Sequence, residues 1–256
     1  MSDPALLFGP SAEAYERHRL GYPDAVADLT LAYAHPPVRT ALEVGAGTGK
    51  ATRLFAGRGV ALTACEPDPG MAAVLRRATV GLPVEVVVAA FEGLGAPSEP
   101  LVDLLLCAQA WHWTAPITRY DRTAALLRTG GTVALFGIVD AGTALVDADL
   151  HERVTVLERS VLSQVPPATA VRSATGTWWP GSDLEADGRF ADVEQHDLAR
   201  VVRRTRGEHV ALLATLSPYL RLTVAGRREL LAAVAADLPD EVEVDATVRL
   251  HLARRV

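Results

Sequence analysis

The sequence predicts an α/β fold: a doubly wound, mainly parallel sheet of seven strands with an antiparallel closing strand. Three observations carry that expectation. Short apolar runs alternate with helical patterns from residue 38 to residue 137, the rhythm of a parallel sheet with crossover helices. The first run, Ala41-Leu42-Glu43-Val44, ends on Gly45-Ala46-Gly47-Thr48-Gly49, a turn whose glycines allow positive φ and close approach of a ligand to the backbone. Chemistry-bearing residues then fall at the ends of the next three runs, where open α/β sheets bind ligands.

The elements follow in order. Residues 11–19 and 23–33 read as helices separated by the turn signal Gly21-Tyr22-Pro23. Residues 38–44 are a buried strand, and 48–57 a helix with Thr48 as its expected N-cap. Strand 60–65, helix 68–78, strands 83–88 and 101–107, helix 116–128 and strand 131–137 continue the alternation. From 140 to about 188 the rhythm breaks. Leu150, Val154, Leu157 and Val161 stand at helical spacing within 147–163, and a polar stretch runs on to Trp178-Trp179-Pro180. Residues 140–188 are therefore expected to form a small helical lid over the sheet edge, inside one domain spanning 1–256. Strand character returns near 190–204, helices near 207–216 and 226–237, and a last strand near 241–254.

Composition narrows the function classes. The net charge is −6, with 22% charged residues, so no electrostatic grip on nucleic acid is expected. No run reaches the roughly 18 apolar residues of a membrane helix, and residues 1–5 lack the order of a signal peptide. A cytoplasmic monomer or homodimer is the expectation, with Cys65 and Cys107 as buried free thiols. No His, Cys and Asp spacing suggests a metal.

The candidate site residues sit at four consecutive strand ends. Gly45, Ala46, Gly47 and Gly49 follow the first strand, and Lys50 stands where the dinucleotide pattern G-x-G-x-x-G needs a glycine. That departure points to a smaller nucleoside ligand. Glu66-Pro67 ends the second strand, where a carboxylate can accept from both ribose hydroxyls; the plainer reading is a solvated strand-end acid. Glu43 suits a cationic ligand group or orients the glycine turn. Ala90, Phe91 and Glu92 follow the third strand; Ala108, Gln109, Trp111, His112 and Trp113 follow the fourth. His112 is either a general base or a packing histidine, and Trp178 and Trp179 are either acceptor-binding lid residues or core plugs.

An acidic residue followed by G-x-G-x-G, as in Glu43 to Gly49, resembles the first motif of the class I S-adenosylmethionine (SAM) methyltransferases, which have a Rossmann-like fold. The Ala108 to Trp113 segment is similar to the A-Q-x-x-H-W element of a subgroup related to ubiquinone and trans-aconitate methyltransferases. Phe8, Ala12, Tyr15, Arg19 and Tyr22-Pro23 resemble that subgroup's N-terminal element, with Leu20 replacing a proline. The resemblance implies SAM as cofactor, adenine packing on Met71, and closure of residues 1–35 over the methionine end, with Arg19 binding its carboxylate. Ala90 stands where many relatives place an Asp for the adenine amino group. The absence of Asn-Pro-Pro-Tyr after the fourth strand disfavours base or amide methylation. Methyl transfer to a small-molecule acceptor in specialised metabolism is the expected activity; a non-methylating step such as cyclisation, or a SAM-binding regulatory module, shares every cofactor residue.

Overall fold

A computed structural model describes residues 6–95, 102–162 and 173–256. Helices α1 (Ala12–His18) and α2 (Asp24–Tyr33) precede β1 (Thr40–Val44), α3 (Lys50–Ala56), β2 (Ala61–Cys65), α4 (Pro69–Ala78) and β3 (Val84–Val87). Then come β4 (Val102–Ala108), α5 (Arg119–Leu126), β5 (Leu127–Ile138), α6 (Ala148–Val161) and α7 (Gly181–Ala186). The chain closes with β6 (Phe190–Leu198), β7 (Val201–Thr205), α8 (Arg206–Leu213), α9 (Ser217–Leu220), α10 (Val224–Asp237), β8 (Glu241–Asp245) and β9 (Val248–Arg255). The main sheet has seven strands in the order β3-β2-β1-β4-β5-β9-β6. Strands β1 to β5 pair in parallel, and β9 runs antiparallel between β5 and β6. The order reverses between β1 and β4, and the crevice of a doubly wound sheet opens at such a switch.

Alternating side chains explain why the central strands read as continuous apolar runs. Leu104 and Leu106 of β4 face a core with Phe55, Phe136 and Val26; Leu105 and Cys107 face the opposite core with Leu127, Leu135 and Leu184. Both faces are covered by helices, so neither needs polar residues. Cys65 and Cys107 are free and buried, as expected.

Beyond the sheet the expected boundaries change. The strand anticipated at 241–254 is two strands, because the Asp245 carboxylate accepts from the Thr247 amide at 2.8 Å and turns the chain. On the facing strand, Arg200 carbonyl accepts from Ala246 amide at 2.7 Å where β6 passes into β7. One antiparallel ribbon thus leaves the main sheet as β6–β9 and continues as the separate two-stranded sheet β7–β8. That second sheet, with α6, α8, α9 and α10, encloses its own core of Leu150, Val154, Leu212, Tyr219, Val234 and Val244. The segment expected as one lid is split. Helix α6 belongs to this cap, whereas α7 carries Leu184 into the main core. The Val165-Pro166-Pro167 stretch lies outside the described residues.

Candidate active site

Glycine geometry sets the floor of the site. Gly45, Gly47 and Gly49 have φ of +65°, +60° and +90°, the left-handed region open to glycine. A Cβ on Gly45 would lie 2.4 Å from the Ala110 Cβ, and one on Gly49 would lie 2.6 Å from Leu75 Cδ1. Gly49 itself is the N-cap residue of α3; Thr48, the expected cap, instead buries its hydroxyl without a hydrogen-bond partner. Lys50, the departure from the dinucleotide pattern, donates to the Glu16 carbonyl at 2.8 Å and ties α1 down beside the loop.

Glu66 is 6% exposed, and both its oxygens are already engaged. Oε2 accepts from the Gly47 amide at 2.8 Å and Oε1 from the Asp68 amide at 2.9 Å. Burial pushes its pKa up to about 7, against the lowering effect of those two amides. The pair fixes the carboxylate beside the glycine loop at the end of β2.

Glu43 lies beneath the loop, 1% exposed, accepting from the Thr52 hydroxyl at 2.6 Å through Oε2 while Oε1 has no partner. Burial raises its pKa to about 8. The folded state then holds a proton that the unfolded chain releases above about pH 4.5, so stability is lost as pH rises from 4.5 towards 8. Glu43→Gln should flatten that loss, raising stability at about pH 8 relative to about pH 5 by on the order of 2 kcal/mol. Urea unfolding at both pH values checks it, and an unchanged difference removes Glu43 as the cause.

A cleft of about 430 Å³ opens above the loop. One half is lined by Gly45, Gly47, Glu66, Pro67, Met71, Ala90, Phe91, Glu92, Ala108 and Gln109, so four strand ends meet as their sequence positions imply. Ala46 faces a small side space next to it, shared with Glu43 and Lys50. The other half is lined by Phe8, Tyr15, Arg19, His112 and Trp113, and by cap residues from Asp140 to Tyr219. Arg19 lies 4.9 Å from the Tyr15 ring centroid and donates to Thr215 carbonyl at 3.3 Å, with its buried Nε unpartnered. His112 is exposed to the cleft, with its ring 4.9 Å from that of Trp113; enclosure by the surrounding protein lowers its pKa, so the ring is neutral at pH 7. Its one ring contact among the described residues, with Trp113, leaves both the general-base and the packing reading open to it.

Backbone strain concentrates here too. Among the described residues, four that are not glycine have positive φ: Gln109, Asp140, Ala141 and Asp192. The first three line the cleft. Left-handed backbone at non-glycine positions clusters where a ligand site dictates geometry.

Three predicted aromatic residues are elsewhere. Trp111 is 4% exposed and turns into the core, donating from Nε1 to Tyr120 Oη at 3.2 Å, so it does not wall the cleft. Trp179 donates to Asp183 Oδ2 at 3.1 Å beside the Arg119 guanidinium, and Trp178 sits under Arg249. Neither lines the cleft; Trp179 packs against the main core, and Trp178 is half-buried beneath Arg249. Conversely, Asp140, Glu158 and the Leu216–Tyr219 stretch line the cleft without having been singled out as site residues.

Comparison with known proteins matches this arrangement. Residues 42–135, from β1 through β5, match the model of a methyltransferase domain family. Over that segment the chain is similar to methyltransferase domains. Its relatives include an uncharacterised methyltransferase of Mycobacterium tuberculosis, 41% identical over 138 residues that cover 52% of each protein. A methyltransferase-like protein of Schizosaccharomyces pombe is 32% identical over 124 residues, 47% of each. The chain thus spans about half the length of the curated relatives it matches. The fold of this chain is similar to that of a solved structure from Anaeromyxobacter dehalogenans, provisionally assigned as a type II methyltransferase. The TM-score is 0.63 at 23% identity, covering 93% of this chain and 97% of that one. The ubiquinone-related subgroup finds no specific counterpart in these matches. Among the described residues no helix is long and apolar enough to cross a membrane, and no cluster of ligating side chains could hold a metal ion.

Proposed function

We propose that this protein transfers a methyl group from SAM to a small-molecule acceptor, with specialised metabolism as its setting. The division of the cleft carries the reading: a glycine and carboxylate half at the β1 to β4 ends opens directly onto a second half roofed by the cap. SAM supplies, when bound, a methyl group on a sulfonium and departs as S-adenosylhomocysteine. The residues fit it. Glu66 accepts from the ribose hydroxyls, the left-handed glycines let the backbone approach, and Met71 and Phe91 flank the adenine. The Arg19 guanidinium, its Nε unpartnered, provides a positive charge for the carboxylate end of an amino acid group, and Glu43, its Oε1 unpartnered, ionises on pairing with the ammonium end.

Phe8, Tyr15 and Trp113 form an edge-to-face cluster, with Phe8 centred 5.9 Å from Tyr15 and 6.2 Å from Trp113. Such a wall excludes water and orients the acceptor, and these two effects do much of the work in displacement at a sulfonium. His112, neutral and facing the same half, accepts the proton that the acceptor atom gives up. His112→Ala should lower kcat about 100-fold while leaving SAM affinity unchanged. An unchanged kcat would mean that the acceptor needs no base from this ring. The reading as a whole is tested by incubating the protein with SAM and fractionated cell extract. Release of S-adenosylhomocysteine supports methyl transfer; SAM binding without release under any fraction points to a non-methylating or regulatory role.

A further inference from the structure

Helix α6 buries Leu150 and Val154 against the cap core, and the next residue on that line is Glu158, with Leu162 beyond it. Glu158 is therefore an acid placed where the helix pattern asks for an apolar residue. Its Oε1 accepts from the hydroxyl of Tyr219, itself 1% exposed, at 2.6 Å, and both residues line the roof of the cleft. Burial raises the Glu158 pKa, against the lowering effects of the Tyr219 hydroxyl and of His151. The rest of the lining has the same sign. Glu66, Glu92, Asp140 and Glu158 line the cleft, and Arg19 is the one arginine or lysine among its described lining residues. Arg19 already contacts Tyr15 and Thr215. The same cleft is lined by Phe8 and Trp113, aromatic rings whose faces attract cations.

We infer that the acceptor is an organic amine with an apolar body, its ammonium group anchored by the Tyr219-braced Glu158 carboxylate and its body held against Phe8 and Trp113. This inference rests on the methyl-transfer reading and specifies the acceptor class for that site. An ammonium paired with a carboxylate has no free lone pair, so the methylated atom is a different one on the same molecule. An anionic acceptor would meet two carboxylates in this half, Asp140 and Glu158, with no spare arginine or lysine, a like-charge arrangement that costs affinity.

The test uses calorimetric titration of S-adenosylhomocysteine, then of three indole probes into the S-adenosylhomocysteine-saturated protein: tryptamine, indole-3-propionamide and indole-3-propionate. Tryptamine should bind at least about tenfold more tightly than the propionate, with the amide between them. Glu158→Gln keeps a group that can accept from Tyr219, and should bring tryptamine to within about twofold of the amide with S-adenosylhomocysteine affinity retained. Equal or tighter binding of the propionate overturns the amine assignment, as does a preference that survives Glu158→Gln or a lack of binding by all three probes. Failure of the wild-type protein to bind S-adenosylhomocysteine overturns the methyl-donor reading and this inference with it, so the two failures are told apart by the first titration.

Discussion

Replacing Glu66 with alanine should weaken SAM binding by about 100-fold or more. Hydrogen bonds to a charged acceptor contribute roughly 1.5–3 kcal/mol each, and in the proposed site two ribose hydroxyls meet this carboxylate, so a loss of about 3 kcal/mol is a lower bound. The substitution also strips the Gly47 and Asp68 amides of their acceptor, which loosens the loop over which the ligand lies. The protonation state adds a signature that simple loss of packing does not have. With a pKa of about 7, Glu66 is about half protonated in the free protein at neutral pH. Donation from the ribose favours the ionised form, so binding releases a proton and affinity rises with pH up to the region of 7. Below that value this group alone weakens binding by up to about tenfold per pH unit, and above about pH 8 its contribution levels off. Calorimetry in buffers of different ionisation enthalpy reads the proton release directly. Glu66→Gln should remove the slope through pH 7 and leave a remnant near pH 8, where Glu43 titrates. A Gln variant with an unchanged pH profile would exclude Glu66 from the ribose role.

The donor half of this cleft was legible because its residues are local to strand ends. Glu43 and the three glycines lie within seven residues of one another, and Glu66 closes the next apolar run; the parallel pairing of β1 with β2 that an alternating βα pattern implies sets them side by side. The acceptor half was not legible, for three separate reasons. The β6–β9 ribbon passes into β7–β8 at a turn made by the Asp245 side chain, and strand-like alternation continues across it, so a pattern alone cannot mark the cap. On α6 the apolar spacing can be continued through Leu157 and Val161, yet Val161 is 45% exposed and the inward line runs through Glu158. The tryptophans of 178–179 read equally well as lid or plug, because their partners are distant in sequence, Arg249 for Trp178 and Arg119 for Trp179.

That partner makes the second large expectation a matter of stability, not of chemistry: Trp179→Ala should destabilise the fold by about 2–3 kcal/mol and leave SAM affinity within about twofold of wild type. The Asp183 Oδ2 atom accepts from Tyr120 at 3.0 Å, Trp179 at 3.1 Å and Arg119 at 3.3 Å. The Arg119 guanidinium, in a residue only 7% exposed, lies 5.7, 5.2 and 5.4 Å from the ring centroids of Trp111, Tyr120 and Trp179. A cation this enclosed needs both its counter-ion and its aromatic faces, since partial removal leaves a poorly solvated charge. Removing the indole takes away one face, one donor to Asp183 and packing against the core that holds Leu184 and Phe190. Stability measured by urea unfolding should fall, and calorimetric SAM affinity should not. A lid residue would behave in the opposite way: turnover with a given acceptor would drop while the unfolding curve stayed in place. Trp111 joins both regions, because its carbonyl accepts from Arg119 while its own segment carries His112 and Trp113 into the cleft. If Trp179→Ala also slowed methyl transfer at unchanged SAM affinity, the effect would have to pass through that one 3-10 turn, Trp111–Trp113, and a matching loss in Arg119→Met would identify it.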